Sequence, residues 1–114
     1  MVNSFPKSRR LLVKSQFDRV FDKAKRVFFP EFLILFRVKE KGEACIGLAI
    51  SKKNVNKATQ RNRCKRLVRE SFRVNSLPNV DIIFLSRRGL DKLSNAELST
   101  KLTQAWLKLK KSLK

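Results

Sequence analysis

The sequence predicts an α+β fold, a small mixed sheet with helices packed on it, in the order α-β-β-β-α-β-α. Two observations carry this. The runs EFLILFRVKE, ACIGLAIS and VDIIFLS are short, apolar and rich in residues favoured in sheets. The stretches from Asn54 to Asn75 and from Ser94 to Leu113 instead repeat apolar residues every three or four positions, as helices do. A length of 114 residues with 42% hydrophobic content suits one domain, expected to span 1–114, with a core that needs no disulfide or metal staple.

Met1 to Arg10 reads as an extended basic arm, since Pro6 discourages early helix and Lys7, Arg9 and Arg10 add charge. A helix follows from Ser15, which can cap it, with Asp18 favourable in the first turn and Phe17, Val20, Phe21 and Ala24 at helical spacing. Two readings of Phe17 and Phe21 stand: core residues, or a stacking surface for unpaired bases. Lys25 to Pro30 forms a turn or short edge segment, and EFLILFRVKE a strand apolar on both faces at its centre. Lys41-Gly42-Glu43 suits a hairpin into ACIGLAIS, so these two strands are expected to pair antiparallel. Ile46, Leu48 and Ile50 share one face and belong against helices, while Cys45, Gly47, Ala49 and Ser51 share the other. Gly47 marks either a bulge or the close approach of another backbone.

The next helix is expected to begin near Asn54 or Asn56, either of which can cap it, and to fade between Asn75 and Pro78. VDIIFLS then has the character of a buried strand, ended by Arg87, Arg88 and Gly89. Ser94-Asn95-Ala96-Glu97 fits a capping box, and Leu98, Leu102, Ala105, Trp106, Leu109 and Leu113 trace one apolar stripe behind it.

The formal charge of +19, from 28 Lys and Arg against 9 Asp and Glu, exceeds what solubility needs and points to nucleic acid or an anionic membrane. No apolar run reaches the ~18 to 20 residues of a membrane span. MVNSFPKSRRLLVK lacks the uninterrupted apolar middle of a signal peptide, so a cytoplasmic location is expected. Cys45 and Cys64 have neither CxxC spacing nor histidines nearby, which argues against a zinc site and for two buried reduced thiols. With no histidine in the chain, Ser-His and Cys-His hydrolases are excluded.

The charge is concentrated between Ser51 and Arg73. Wound at about 100° per residue, Asn62, Lys65, Arg66, Arg69 and Arg73 fall on one face with Arg61 at its border, while Cys64, Leu67, Val68, Ser71 and Phe72 fall opposite. A solvated surface helix would mix its signs, yet Glu70 is the sole acid between Lys52 and Arg73. Like charges at i,i+4 destabilise an isolated helix by a few tenths of a kcal/mol per pair, a local cost that a bound polyanion removes.

Arg61-Asn62-Arg63-Cys64-Lys65-Arg66-Leu67-Val68-Arg69-Glu70 resembles the signature of the protein subunit of bacterial ribonuclease P. The resemblance extends over nearly the whole chain, through Arg10-Leu11, the Phe17 to Phe21 helix, Gly47 to Lys53, Ala58, and the Asp81 strand ending in Ser86-Arg87. Cys64 departs from the aliphatic residue more usual there, as a small apolar group of similar role.

The resemblance implies a two-layer to three-layer α/β sandwich with a four-stranded mixed sheet and a left-handed βαβ crossover, shared with the second domain of a small-subunit ribosomal protein. Right-handed crossovers are the general rule. It further implies a ribonucleoprotein in which a large RNA with bound Mg²⁺ hydrolyses a phosphodiester and removes the 5′ leader of precursor tRNA. The protein would then bind the catalytic RNA and the leader as a monomer in a one-protein, one-RNA complex, with Mg²⁺ held mainly by the RNA. Carried onto this chain, the RNA-binding residues are Lys52, Lys53, Arg61, Asn62, Arg63, Lys65, Arg66 and Arg69, and the leader-binding cleft holds Phe17 and Phe21. Neither a catalytic residue nor a protein metal ligand is implied. Size and charge would equally suit a ribosomal or chaperone-like RNA-binding protein; the signature separates the two. Binding to a membrane surface is the weakest reading, because the apolar strip is short and needed for the core.

Overall fold

A computed structural model describes residues 24–39 and 42–113. The basic arm, the helix expected from Ser15 with Phe17 and Phe21, and part of the expected Lys41 turn lie outside the described residues. Strands β1 (Lys25–Phe29), β2 (Phe32–Val38) and β3 (Cys45–Ala49) precede helix α1 (Ala58–Val74). Strand β4 (Val80–Ser86), a short 3-10 turn (Leu90–Lys92) and helix α2 (Asn95–Ser112) complete the order.

The four strands form one mixed sheet in the order β1-β2-β4-β3. β2 pairs antiparallel with β1 and with β4, and β3 pairs parallel with β4. The expected β2–β3 hairpin is therefore not made. The reason is burial: β4 carries Val80 to Phe84 with every residue buried, and a strand apolar on both faces is most stable in the middle of a sheet. β4 displaces β3, with its small Cys45, Gly47 and Ala49, to one edge. The basic start of β1, Lys25-Arg26, occupies the other edge, where charge discourages unwanted pairing. Because β3 and β4 are parallel neighbours, the chain between them must cross over, and α1 is that crossover.

Both helices pack on one face of the sheet. Phe32, Ile34, Phe36, Ile46, Ile82 and Phe84 meet Cys64, Val68 and Phe72 of α1 and Leu98, Leu102, Ala105, Trp106 and Leu109 of α2 in one core. Ile46, Leu48 and Ile50 lie on this side, as alternation predicts. Phe29, Phe32 and Phe84 stack in series, with ring centroids 4.8 and 5.0 Å apart. On the opposite face, Leu35, Cys45 and Ile83 are buried and Leu33, Leu85 and Ala24 partly so. Neither α1 nor α2 packs on that face.

Helix α1 begins later than Asn54 or Asn56. The Ser51 carbonyl accepts the Val55 N–H at 2.9 Å and its Oγ accepts the Asn54 N–H at 3.2 Å, making a separate turn. Asn54 spends its side chain on β4, donating to the Ser86 carbonyl at 2.9 Å, and so cannot cap the helix. Val55 is buried in the core, and the helix starts only after it. Gly89, at φ 94°, turns the end of β4 into the 3-10 turn, whose Leu90 is buried. The capping box of α2 forms as predicted: Ser94 Oγ accepts the Glu97 N–H at 3.1 Å and Glu97 Oε1 accepts the Ser94 N–H at 2.9 Å.

Candidate nucleic-acid interface

Helix α1 packs through Cys64, Val68 and Phe72, all buried, with Leu67 and Ser71 half-buried beside them. This is the side that periodicity assigns to the core. The other side holds Asn62 and Arg66 exposed and Lys65 and Arg69 half-buried, and Lys52 and Lys53 are exposed in the turn before the helix. Arg73 closes the stripe in an ion pair with Glu70 at 2.6 Å.

The two arginines that flank Asn62 behave differently. Arg61 donates from Nη1 to the carbonyls of Val55 and Asn56, both at 2.9 Å, and so ties the helix to the turn before it. Arg63 donates through all three of its nitrogens: to Gln60 Oε1 at 2.8 Å, Asn95 Oδ1 at 2.7 Å, the Leu93 carbonyl at 3.0 Å and the Asp91 carbonyl at 3.3 Å. These last three acceptors belong to the segment that opens α2. Arg63 therefore clamps α1 to α2, whereas Arg66, three residues on, projects into solvent. The helical wheel leaves Arg63 off the stripe, and only the resemblance to the signature places it among the expected RNA-binding residues. Little that is local distinguishes it, because apart from Gln60 its partners lie 28 to 32 residues away in the chain.

Local electrostatics favour an anion at the start of α1. The helix has no side-chain cap and no acid in its first turn, so its leading N–H groups and the positive end of its dipole add to the cationic side chains. Burial pushes the Cys64 thiol up, the adjacent Arg63 guanidinium pulls it down less strongly, and Asp91 adds to the rise. Cys64 is thus a neutral packing group rather than a nucleophile. Neither cysteine is in a disulfide, and both are buried.

Among the described residues the carboxylates are dispersed, and several are engaged. Asp81, buried at the start of β4, pairs with Lys39 at 3.0 Å, Glu31 pairs with Lys101 at 3.3 Å, and Glu97 serves the capping box. Among the described residues, no group of three or more His, Cys, Asp or Glu side chains could hold a metal ion. A magnesium ion held by several carboxylates does not fit the donor set of the described residues. The Lys39–Asp81 pair had no signal in the sequence.

A protein-family model for ribonuclease P matches residues 5–110. The chain belongs to the ribonuclease P protein family. The ribonuclease P protein component of Legionella pneumophila (strain Corby) is 52% identical over 106 residues, covering 93% of each chain. That of Pseudoalteromonas atlantica is 45% identical over 111 residues, covering 96% of this chain and 92% of the relative. The solved structure of the Staphylococcus aureus RNase P protein superposes with a TM-score of 0.82 at 27% identity, covering 92% of this chain and 97% of that one. Membership in this family makes tRNA processing, by an RNA-processing endoribonuclease, the setting of the charged helix. Among the described residues, no helix is long and apolar enough to cross a membrane.

Proposed function

We propose that the chain acts in the cytoplasm as the protein subunit of a one-protein, one-RNA ribonuclease P, binding its RNA and the single-stranded 5′ leader of precursor tRNA. The observation that carries this reading is the division of α1: one side locked into the core, the other an almost unbroken run of cations bearing the family signature. Arg66 and Arg69 suit bidentate phosphate contacts, Lys52, Lys53 and Lys65 supply point charges, and Asn62 can both donate and accept. Arg61 and Arg63 position this set by holding both ends of its first turns. Phe17 and Phe21 are proposed to contact the leader, since stacking on aromatics tolerates variable sequence.

Catalysis is assigned to the RNA. No histidine is present to act as general base, the Cys64 thiol is held neutral, and Asp81 is committed to Lys39. Magnesium bound by the RNA would supply the activated water and neutralise charge at the reacting phosphate. The protein's part is to offset phosphate repulsion where RNA and leader converge, which lowers the magnesium concentration needed.

The test is reconstitution. Adding the chain to a bacterial ribonuclease P RNA at low magnesium should raise cleavage of precursor tRNA at the mature 5′ end. Affinity for precursor should also grow with leader length. No enhancement with a cognate RNA would sink the proposal, and indifference to the leader would favour a ribosomal or chaperone-like RNA-binding role.

A further inference from the structure

Phe28 is a large aromatic that the fold leaves uncovered. Its neighbours Val27 and Phe29 point into the core, whereas Phe28 is 58% exposed on the sheet face opposite α1 and α2. Register pairs Phe28 with Leu33, Leu33 with Leu85 and Leu85 with Ala49. One row therefore crosses the sheet from its β1 edge to the strand that runs into Lys52 and Lys53. Leu33 and Leu85 are half-buried and Ala49 is exposed, so this row is a shallow apolar floor.

The Arg87 guanidinium lies 4.7 Å from the Phe28 ring centroid. The Arg87 N–H donates to the Glu31 carbonyl at 3.0 Å, and Nε reaches the Pro30 carbonyl at 3.4 Å. These bonds hold Arg87, itself exposed, beside the ring. Arg26, on β1, and Arg88, just after β4, are exposed as well. A cation over an aromatic ring can serve packing alone. Packing alone leaves unexplained a ring still more than half exposed among several like charges. An aromatic face for a base beside an arginine fork for its phosphate is the pairing that single-stranded nucleic acid selects.

We infer that Phe28 and Arg87 form a stacking and phosphate subsite for single-stranded RNA at the β1 edge of the sheet, continuing the path of the leader away from the signature helix. The inference rests on the leader-binding function proposed above. Three strand spacings separate β1 from β3, roughly 14 Å, so a leader must extend across the sheet before it meets Phe28. Short leaders end before the subsite.

The experiment uses the full chain reconstituted with a bacterial ribonuclease P RNA, and precursor tRNAs carrying either a long leader or a single leader nucleotide. Phe28→Ala and Phe28→Leu should each weaken the long-leader precursor about tenfold, within the range of one lost base stack. Both should leave the single-nucleotide precursor unchanged, and Phe28→Tyr should restore affinity. Arg87→Gln, on a different element, should weaken the same precursor several-fold. Unchanged affinity for the long leader, or equal loss on both precursors, overturns the subsite while leaving leader binding intact. A wild-type protein indifferent to leader length overturns leader binding itself, and the subsite with it. If Phe28→Ala instead changes the oligomeric state of the free protein without touching leader affinity, the patch joins protein to protein and the inference fails.

Discussion

The two helices lie side by side on the same sheet face and are built on opposite principles. Helix α2 agrees with itself at every level: a capping box at its start, Glu97 in the first turn, Lys110 and Lys111 in the last, and a buried stripe from Leu98 to Leu109. Helix α1 has no side-chain cap, no early acid and a run of like charges. What holds α1 is largely its neighbour. Trp106 of α2 meets Phe72 edge-on at 6.2 Å and donates from Nε1 to Ser71 Oγ at 2.8 Å. Lys110 donates to the Asn75 carbonyl at 3.1 Å at the end of α1, and Arg63 returns the connection at its start. A helix kept for stability thus supports a helix whose own charges oppose it.

The largest effect expected from breaking this arrangement is at Trp106, which is 1% exposed. Trp106→Ala removes the ring and leaves Ser71 without its donor, and should cost about 3–5 kcal/mol, a large part of the stability of a small domain. Denaturant unfolding should show a much lower midpoint, with RNA binding lost alongside it. An unchanged midpoint would mean that α1 does not depend on α2.

The next comparison sets the clamp against the stripe. Arg63→Ala should destabilise by about 2 kcal/mol, because several bonds from a charged donor are lost and their acceptors are left at a half-buried junction. Arg66→Ala should change stability by less than about 0.5 kcal/mol, being exposed and away from any such junction. The order reverses for RNA: Arg66→Ala should reduce the slope of log affinity against log salt by roughly 0.7 to 0.9. A stability loss at Arg66, or an unaltered salt slope, would erase the distinction between the two arginines.

The smallest effects lie at the helix starts. Ser94→Ala should cost α2 about 1 kcal/mol. Glu97 is held below the usual carboxylate range by the N–H and hydroxyl of Ser94 and, to a lesser degree, by Lys101. A depressed acid contributes stability above its unfolded pKa and loses it as pH falls through the folded value. The wild-type chain should therefore lose this contribution on acidification, and Ser94→Ala should flatten that part of the pH profile. At the other helix, Lys57 already has the extended backbone of a cap, φ −86° and ψ 132°. Lys57→Asp should stabilise α1 by about 0.5–1 kcal/mol while weakening RNA binding, the trade expected where a helix start is kept positive for its ligand.

Local patterns were legible wherever the controlling interaction lay within a few residues. The Ser94 to Glu97 capping box, the buried side of α1 and the alternation along β3 all belong to this class, since each depends on contacts at i+2 to i+4 or on a simple period. The start of α1 is not legible locally, because Asn54 is a good cap in isolation but Ser86, 32 residues away, claims its side chain. The β2–β3 hairpin failed for the same reason at larger scale. A short turn between two strands favours pairing them, until a third strand with a stronger claim to the interior arrives later in the chain.

By itself, the sequence determined that this chain carries a basic helix with one side for packing, a well-capped final helix, and the signature of a ribonuclease P protein. These are properties of composition, period and motif, which residues carry wherever the chain places them. Only the tertiary structure decided that β4 separates β2 from β3, that Arg63 binds its own protein while Arg66 faces outward, and that Phe28 remains uncovered beside Arg87. Each of those outcomes is a competition for burial or for hydrogen-bond partners between segments far apart in sequence, and such competitions are resolved only when the segments meet.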